Sequence, residues 1–292
     1  RSIMIENKAY KRAAYIILII LAALCVIPFL LMLAASFTSE RSLIVDGYSF
    51  IPGEFSLAAY TYLFADGVTI IRAYGMTILV TVIGTSVALI LTTLLSYSIS
   101  IKKLPGRNLI AFFVFFAMLF NGGIVPSYIM WTNVFHIKNT IFALIVPNYL
   151  VFGFYVIMMR TYFMTNVPEE VLESARMDGA GELRILRQIV MPMAVPILAT
   201  VGMMLAITYW NEWQNGLYYV SDSKLYTIQL ILNKMIQNAD AIKTIATNVS
   251  MELPSTSIKM AVAVLGALPI MCVFPFFQKY YVKGITIGAV KG

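Results

Sequence analysis

The residues of this chain that could do chemistry crowd into one stretch. It reads Pro168-Glu169-Glu170-Val171-Leu172-Glu173-Ser174-Ala175-Arg176-Met177-Asp178-Gly179-Ala180-Gly181-Glu182 and runs on to Ile189-Val190-Met191-Pro192. Charge flanks a short apolar stripe here, so the chemistry on offer is recognition. Pro168 suits a first helical turn, because its missing N–H would be unpaired there anyway. Glu169 and Glu170 complement the positive end of a helix dipole. Val171, Leu172 and Ala175 share a face by 3–4 spacing. Asp178-Gly179 then ends the helix, with glycine free to turn left-handed. A second helix is expected near Ala180, with Leu183, Leu186, Ile189 and Val190 as its stripe. Neither helix would be stable alone at about ten residues. The pattern allows a self-packed hairpin and a docking element equally.

Catalytic groupings are absent elsewhere. His136 is the sole histidine and reads as a loop residue. No HExxH, GxSxG or GxxxxGK[ST] motif occurs. The glycine-rich end carries Lys291 followed by Gly292, which cannot form a phosphate loop. Any nucleotide energy must therefore come from another chain. Cys25 and Cys272 lie in apolar runs and read as small buried residues. Asn248-Val249-Ser250 matches a glycosylation sequon, a weak signal.

What positions the charged stretch is membrane. Of 292 residues, 60% are hydrophobic and 12% charged, about half the charge of a soluble domain. Apolar segments near 13–35, 76–99, 109–130, 141–159, 193–209 and 260–277 predict an all-α membrane protein with six transmembrane helices. The first, longer than a signal-peptide core, reads as a retained anchor. With the N-terminus inside, the inner segments hold fourteen of the 21 basic residues, including Lys102, Lys103, Arg107, Arg160 and Arg176. The positive-inside rule then puts both termini and the loop 166–192 in the cytoplasm. The net charge of +7 is thus an orientation signal, and no nucleic-acid partner is expected.

The outer segments are 36–73 and 210–259, and 278–292 is a cytoplasmic tail. Both outer segments carry aromatics, which fit an interfacial belt or a docking or sugar-stacking surface. Trp210, Trp213, Tyr218 and Tyr219 are the candidates for the outer pathway. Asn121-Gly122-Gly123 interrupts the third span and reads as a kink, a span end or a pivot lining a pathway. No Asp, Glu, Lys, Arg or His lies inside a proposed span, which argues against ion-coupled transport without deciding it.

Glu173-Ser174-Ala175-Arg176-Met177-Asp178-Gly179-Ala180, with Ile189 and Pro192 downstream, resembles the EAA loop of permease subunits in binding-protein-dependent ABC importers. Ser174 stands where Ala is usual, and Met191 where Leu is. Phe50-Ile51-Pro52-Gly53-Glu54-Phe55-Ser56-Leu57, Trp210-Asn211-Glu212-Trp213 and the end from Val282 to Gly292 look like the maltose-permease-G-like, carbohydrate-importing branch. The likeness covers nearly the whole chain.

The resemblance implies a type I importer permease fold in a bacterial inner membrane, with a cytoplasmic coupling helix. It implies two cytoplasmic ATPase subunits holding ATP and Mg, a second and different permease, and an external solute-binding protein. This chain would bind no cofactor itself. Glu173 would meet a basic residue of the ATPase, Gly179 would make the bend, and Val171, Leu172, Ala175 and Met177 would dock. Gly284, Gly288, Lys291 and Gly292 would insert between the ATPases. Set against this reading are an ion-coupled carrier or channel and a non-transporting scaffold.

Overall fold

A computed structural model describes residues 8–65, 67–147, 149–245 and 255–289. In chain order its helices begin with α1 (Lys8–Ser36), α2 (Glu40–Val45), α3 (Ala58–Leu63), α4 (Gly67–Ser100) and α5 (Arg107–Leu119). Next come α6 (Ile124–Ile129), α7 (Phe142–Ile145), α8 (Gly153–Asn166), α9 (Glu169–Met177) and α10 (Glu182–Ile185). The last are α11 (Met191–Met193), α12 (Val195–Trp210), α13 (Gln214–Tyr219), α14 (Ile228–Ile245) and α15 (Ser255–Ala289). Widened π turns follow α6 at Met130–Val134 and α10 at Leu186–Val190. The fold is all-α. Among the described residues the β contact is an isolated bridge between Thr38 and Phe55.

Contacts divide the chain into two units: residues up to Gly67 with Leu232–Pro269, and Val68–Ile231 with the residues from Ile270. In the first, α1 has a mean hydropathy of 3.3 over its apolar window and leaves its large side chains exposed. Such a helix is stable only in an apolar surrounding. Beyond it, Phe37 stacks on Phe55 and Tyr60 at 5.8 and 5.0 Å, so these aromatics are spent on local packing. The Glu40 carboxylate accepts from the backbone N–H groups of Thr256 and Ser257 and from the Ser257 hydroxyl, capping the start of α15. Burial pushes this carboxyl up, but the N–H bonds from Ser257 and Thr256 outweigh it and hold it below the ordinary carboxylate value.

In the second unit, α4 crosses the core. Val80, Ala88 and Tyr97 on α4 pack with Met159 and Phe163 of α8, Val201, Leu205 and Tyr209 of α12, and Ile185. Gly84 permits the closest approach. A Cβ there would lie 2.5 Å from the Tyr209 ring, so only glycine lets α4 and α12 meet.

Several expected bounds change. Among the described residues, three helices are long and apolar enough to cross a membrane alone: Tyr10–Ser36, Gly67–Ser100 and Thr256–Val273. The second starts well before residue 76, so 67–73, expected within an outer segment, is helix continuous with the span. The expected span 109–130 is not one helix. It stops at Leu119, and the chain turns by 115° into Ile124–Val134. The span 141–159 is also broken, into the four-residue α7 and the later α8; Pro147 lies between them and cannot supply a ladder N–H. The span 193–209 matches α12, entered through an 86° bend from Glu182–Met193. The segment 210–259, expected to lie outside, contains the unpredicted α14. The expected tail 278–292 is the continuation of α15 as far as Ala289.

Candidate functional site

The charged stretch folds as its sequence dictates. Pro168 is the N-cap of α9 with φ −62° and ψ 134°, Glu169 and Glu170 occupy the first turn, and Arg176 the last. Each charge therefore complements its end of the helix dipole. The helix closes by a Schellman arrangement: the Ala180 N–H donates to the Ala175 carbonyl at 3.0 Å, and the Gly179 N–H to the Arg176 carbonyl at 3.0 Å. Gly179 sits at φ +78°, a left-handed conformation that costs an L-residue about 1–2 kcal/mol.

This geometry splits the residues expected to dock. Leu172, Ala175 and Ala180 turn inward and pack on the chain's own core. Val171 and Met177 face out, Met177 with 88% of its surface exposed. Glu173, Ser174, Asp178 and Gly179 are exposed as well. The expected stripe of the second helix is corrected at one position. Leu183 is exposed and Ile185 fully buried; the π turn after Ile185 shifts the register on which 3.6-residue spacing relies.

Polar ties hold the pair of helices to the rest of the second unit. Lys102 and Lys103, in the loop after α4, pair with Glu169 and Glu173, the latter at 2.9 Å. The Lys103 ammonium, bonded to the Glu173 carboxylate, holds it below its ordinary pKa. Glu173, expected to meet a basic residue of another chain, thus already has a partner here. Across the bend, Arg176 Nε donates to Glu182 Oε1 at 2.7 Å and its Nη2 to Oε2 at 3.4 Å. The Tyr97 hydroxyl donates to the same Oε2 at 2.5 Å. Beneath α9 lies a cleft of about 180 Å³ lined by Ile101, Lys102, Phe163, Pro168, Leu172 and Arg176 among others.

Sequence reasoning did not single out Tyr97, Lys102, Lys103 or Ile185 as part of this site. The adjacent lysines one short loop before α5 were a signal. The tyrosine gave none, because its partner is 85 residues away.

The remaining candidates scatter. Asn121, Gly122 and Gly123 form an exposed turn, with Asn121 Oδ1 accepting the Gly123 N–H at 2.8 Å and Gly123 at φ +85°. Tyr219 is 2% exposed and stacks on Tyr128 at 5.8 Å, so its ring faces are not open to a sugar. Tyr218 is exposed, Trp213 half-buried, and Trp210 packs near Tyr74 with ring centres 6.4 Å apart. Gly284 and Gly288 fall on the last turns of α15. Lys291, Gly292 and the sequon at Asn248 lie outside the described residues.

A second polar cluster, at the far end of α12, was not foreseen. Glu212 is 2% exposed, and its Oε1 accepts the backbone N–H of Asn215. The Asn215 amide donates to the Pro147 carbonyl at 2.9 Å, and Thr227 Oγ1 to the Glu212 carbonyl at 3.1 Å. The Ile228 N–H donates to Thr77 Oγ1 at 2.8 Å. Burial pushes the Glu212 carboxyl up to about 7, against the pull of the N–H groups of Asn215, Gly216 and Gln214.

Comparison with known proteins adds a second line of argument. The family described as binding-protein-dependent transport system inner membrane component matches residues 2–287. The polygalacturonan/rhamnogalacturonan transport system permease protein YtcP of Bacillus subtilis is 34% identical, over 98% of this chain and 100% of its own. The trehalose/maltose transport system permease protein MalG of Thermococcus litoralis is 25% identical, over 98% and 99%. A solved bacterial ABC transporter involved in import of the acidic polysaccharide alginate contains a chain that superposes with a TM-score of 0.76. That chain is 26% identical, with 94% of this chain and 97% of that one covered.

Proposed function

This chain belongs to the family of binding-protein-dependent transport system inner membrane components, and from that premise we propose that it is the permease subunit of an ATP-driven carbohydrate importer. The observation that carries the reading is the exposed, glycine-terminated α9–α10 pair on an otherwise apolar chain. The relatives named above move polymers or oligomers of sugars. Two of their substrates, polygalacturonan/rhamnogalacturonan and the acidic polysaccharide alginate, carry uronates, so acidic oligosaccharides are the substrate class we propose.

In this reading two cytoplasmic ATPases, loaded with ATP and Mg, seat the outward faces of α9 and α10, with Val171, Met177 and Leu183 as apolar contacts. Each larger side chain buried there contributes roughly 1.5–3 kcal/mol. Closure of the ATPases draws α9 along, and the spans rock so that the cavity opens to an external solute-binding protein. ATP drives this only by binding the closed state better than the open one. Glu173 exchanges Lys103 for a basic ATPase residue on docking. The second permease is a different chain, both termini are cytoplasmic, and the tail beyond Gly284 reaches the ATPases.

Length arithmetic supports a pathway role for Asn121, Gly122 and Gly123. The 13 residues of α5 cover about 20 Å, short of the ~30 Å hydrocarbon core. Non-helical backbone at that depth is tolerated only against protein or a water-filled cavity.

The test is reconstitution of the complex in vesicles with uptake of labelled galacturonate oligosaccharides and neutral maltodextrins. ATP-dependent uptake of the acidic class is expected. Uptake that is independent of ATP and follows an ion gradient would replace this reading with the ion-coupled carrier.

A further inference from the structure

Accepting the permease reading, we infer that Tyr97 and Glu182 are positioning residues for coupling. Together with Arg176 they form the linkage that passes movement of α9 to the membrane helix α4.

Three features separate this linkage from the other polar ties of the site. First, its end point is buried. Tyr97 is 5% exposed and packs in the same core as Met159, Phe163 and Ile185. The Lys102–Glu169 and Lys103–Glu173 pairs end instead on loop lysines whose side chains are 60% and 75% exposed. Pairs of that kind are screened by solvent and contribute little.

Second, Glu182 ties three elements with one carboxylate. It opens α10, takes both arginine nitrogens from the last turn of α9, and accepts the tyrosine hydroxyl from α4. A two-pronged guanidinium–carboxylate pair fixes orientation as well as distance.

Third, the linkage spans the left-handed turn at Gly179 and so joins the last turn of α9 to the start of α10 across the bend. The apolar contacts of Leu172, Ala175 and Ala180 hold α9 near the core, but such contacts are non-directional and permit sliding. The hydrogen bonds supply the direction. A pull on α9 acts on Arg176, then on Glu182, then on Tyr97, and so turns the inner end of α4.

The test uses the complete complex in vesicles: this chain with its ATPase, partner permease and binding protein. Tyr97→Phe removes the hydroxyl and leaves the ring in place, while Glu182→Ala trims a half-exposed side chain. Three quantities are read for wild type, each variant and the double variant: ATPase recovered with the permease, ATP hydrolysed, and solute imported. We expect each variant to retain the ATPase and hydrolyse ATP, with solute imported per ATP falling about tenfold. That is ~1.4 kcal/mol, near the low end for a hydrogen bond to a charged group. The double variant should fall no further, since both substitutions cut one linkage.

An unchanged import-per-ATP ratio in either variant overturns the inference, as do additive losses in the double variant. Loss of the ATPase together with uptake also overturns it, because the linkage would then only hold the fold. Failure of wild type to show ATP-driven uptake would instead refute the permease reading, so the two failures are distinguishable.

Discussion

The two polar clusters of the second unit are built on opposite plans. The α9–α10 pair is held at its surface by full charges that are largely in water: Lys102, Lys103, Glu169 and Glu173. The cluster around Glu212 is held by one buried acid and by amides, hydroxyls and backbone groups, with Glu212 and Asn215 each 2% exposed. Exposed ion pairs are cheap to exchange for other partners. Buried hydrogen bonds are not, since a broken one leaves a desolvated group unpaired. One cluster is therefore suited to handing its contacts to another protein, and the other to staying shut.

The contrast can be broken hardest where α4 meets α12, on the scaffold that joins the two clusters. Gly84→Val would drive a side chain into the Tyr209 ring, whose hydroxyl donates to the Ile145 carbonyl at 3.0 Å. We expect a loss of ~3 kcal/mol, in the range for overpacking, read as a lowered unfolding temperature in detergent.

The Glu212 cluster should show its plan through pH. The folded protein keeps a proton on this carboxyl up to about 7, whereas the unfolded chain releases it above 4.5. The folded state therefore binds more protons across that window. Stability should fall as pH rises from 4.5 toward 7 and level off beyond, by ~3 kcal/mol in order of magnitude. Glu212→Gln keeps an acceptor for the Asn215 N–H and should flatten that slope in thermal unfolding measured against pH.

At the exposed site the effects on stability shrink while those on coupling do not. Gly179→Val forces a β-branched residue to φ +78° and should cost about 1–2 kcal/mol, with ATP hydrolysis uncoupled from uptake. Lys103→Ala is the smallest. It should change unfolding by less than ~1 kcal/mol, and by still less in high salt.

What the sequence made legible follows from what is local. The end of α9 was readable because Asp178-Gly179 and the charges at either end act within one helix. The break after Leu119 was signalled by Asn121-Gly122-Gly123, though not its 115° angle. The break at Pro147 was hidden, because apolar composition looks the same whether or not the backbone ladder is intact. Ile185 was missed because a π turn changes the period. The burial of Tyr219 and the Tyr97–Glu182 bond depend on partners distant in the chain, and no spacing rule reaches them.

The central claim is that the outward face of α9 seats an ATPase. It is tested most directly by a cysteine at Met177 in a background lacking Cys25 and Cys272, with a second variant carrying the cysteine at exposed Leu217 of α13. After treatment of membranes with a short bifunctional reagent, the account predicts a cross-link from position 177 to the ATPase and none from position 217. An ATPase that copurifies with the chain yet forms no cross-link from position 177 would contradict it.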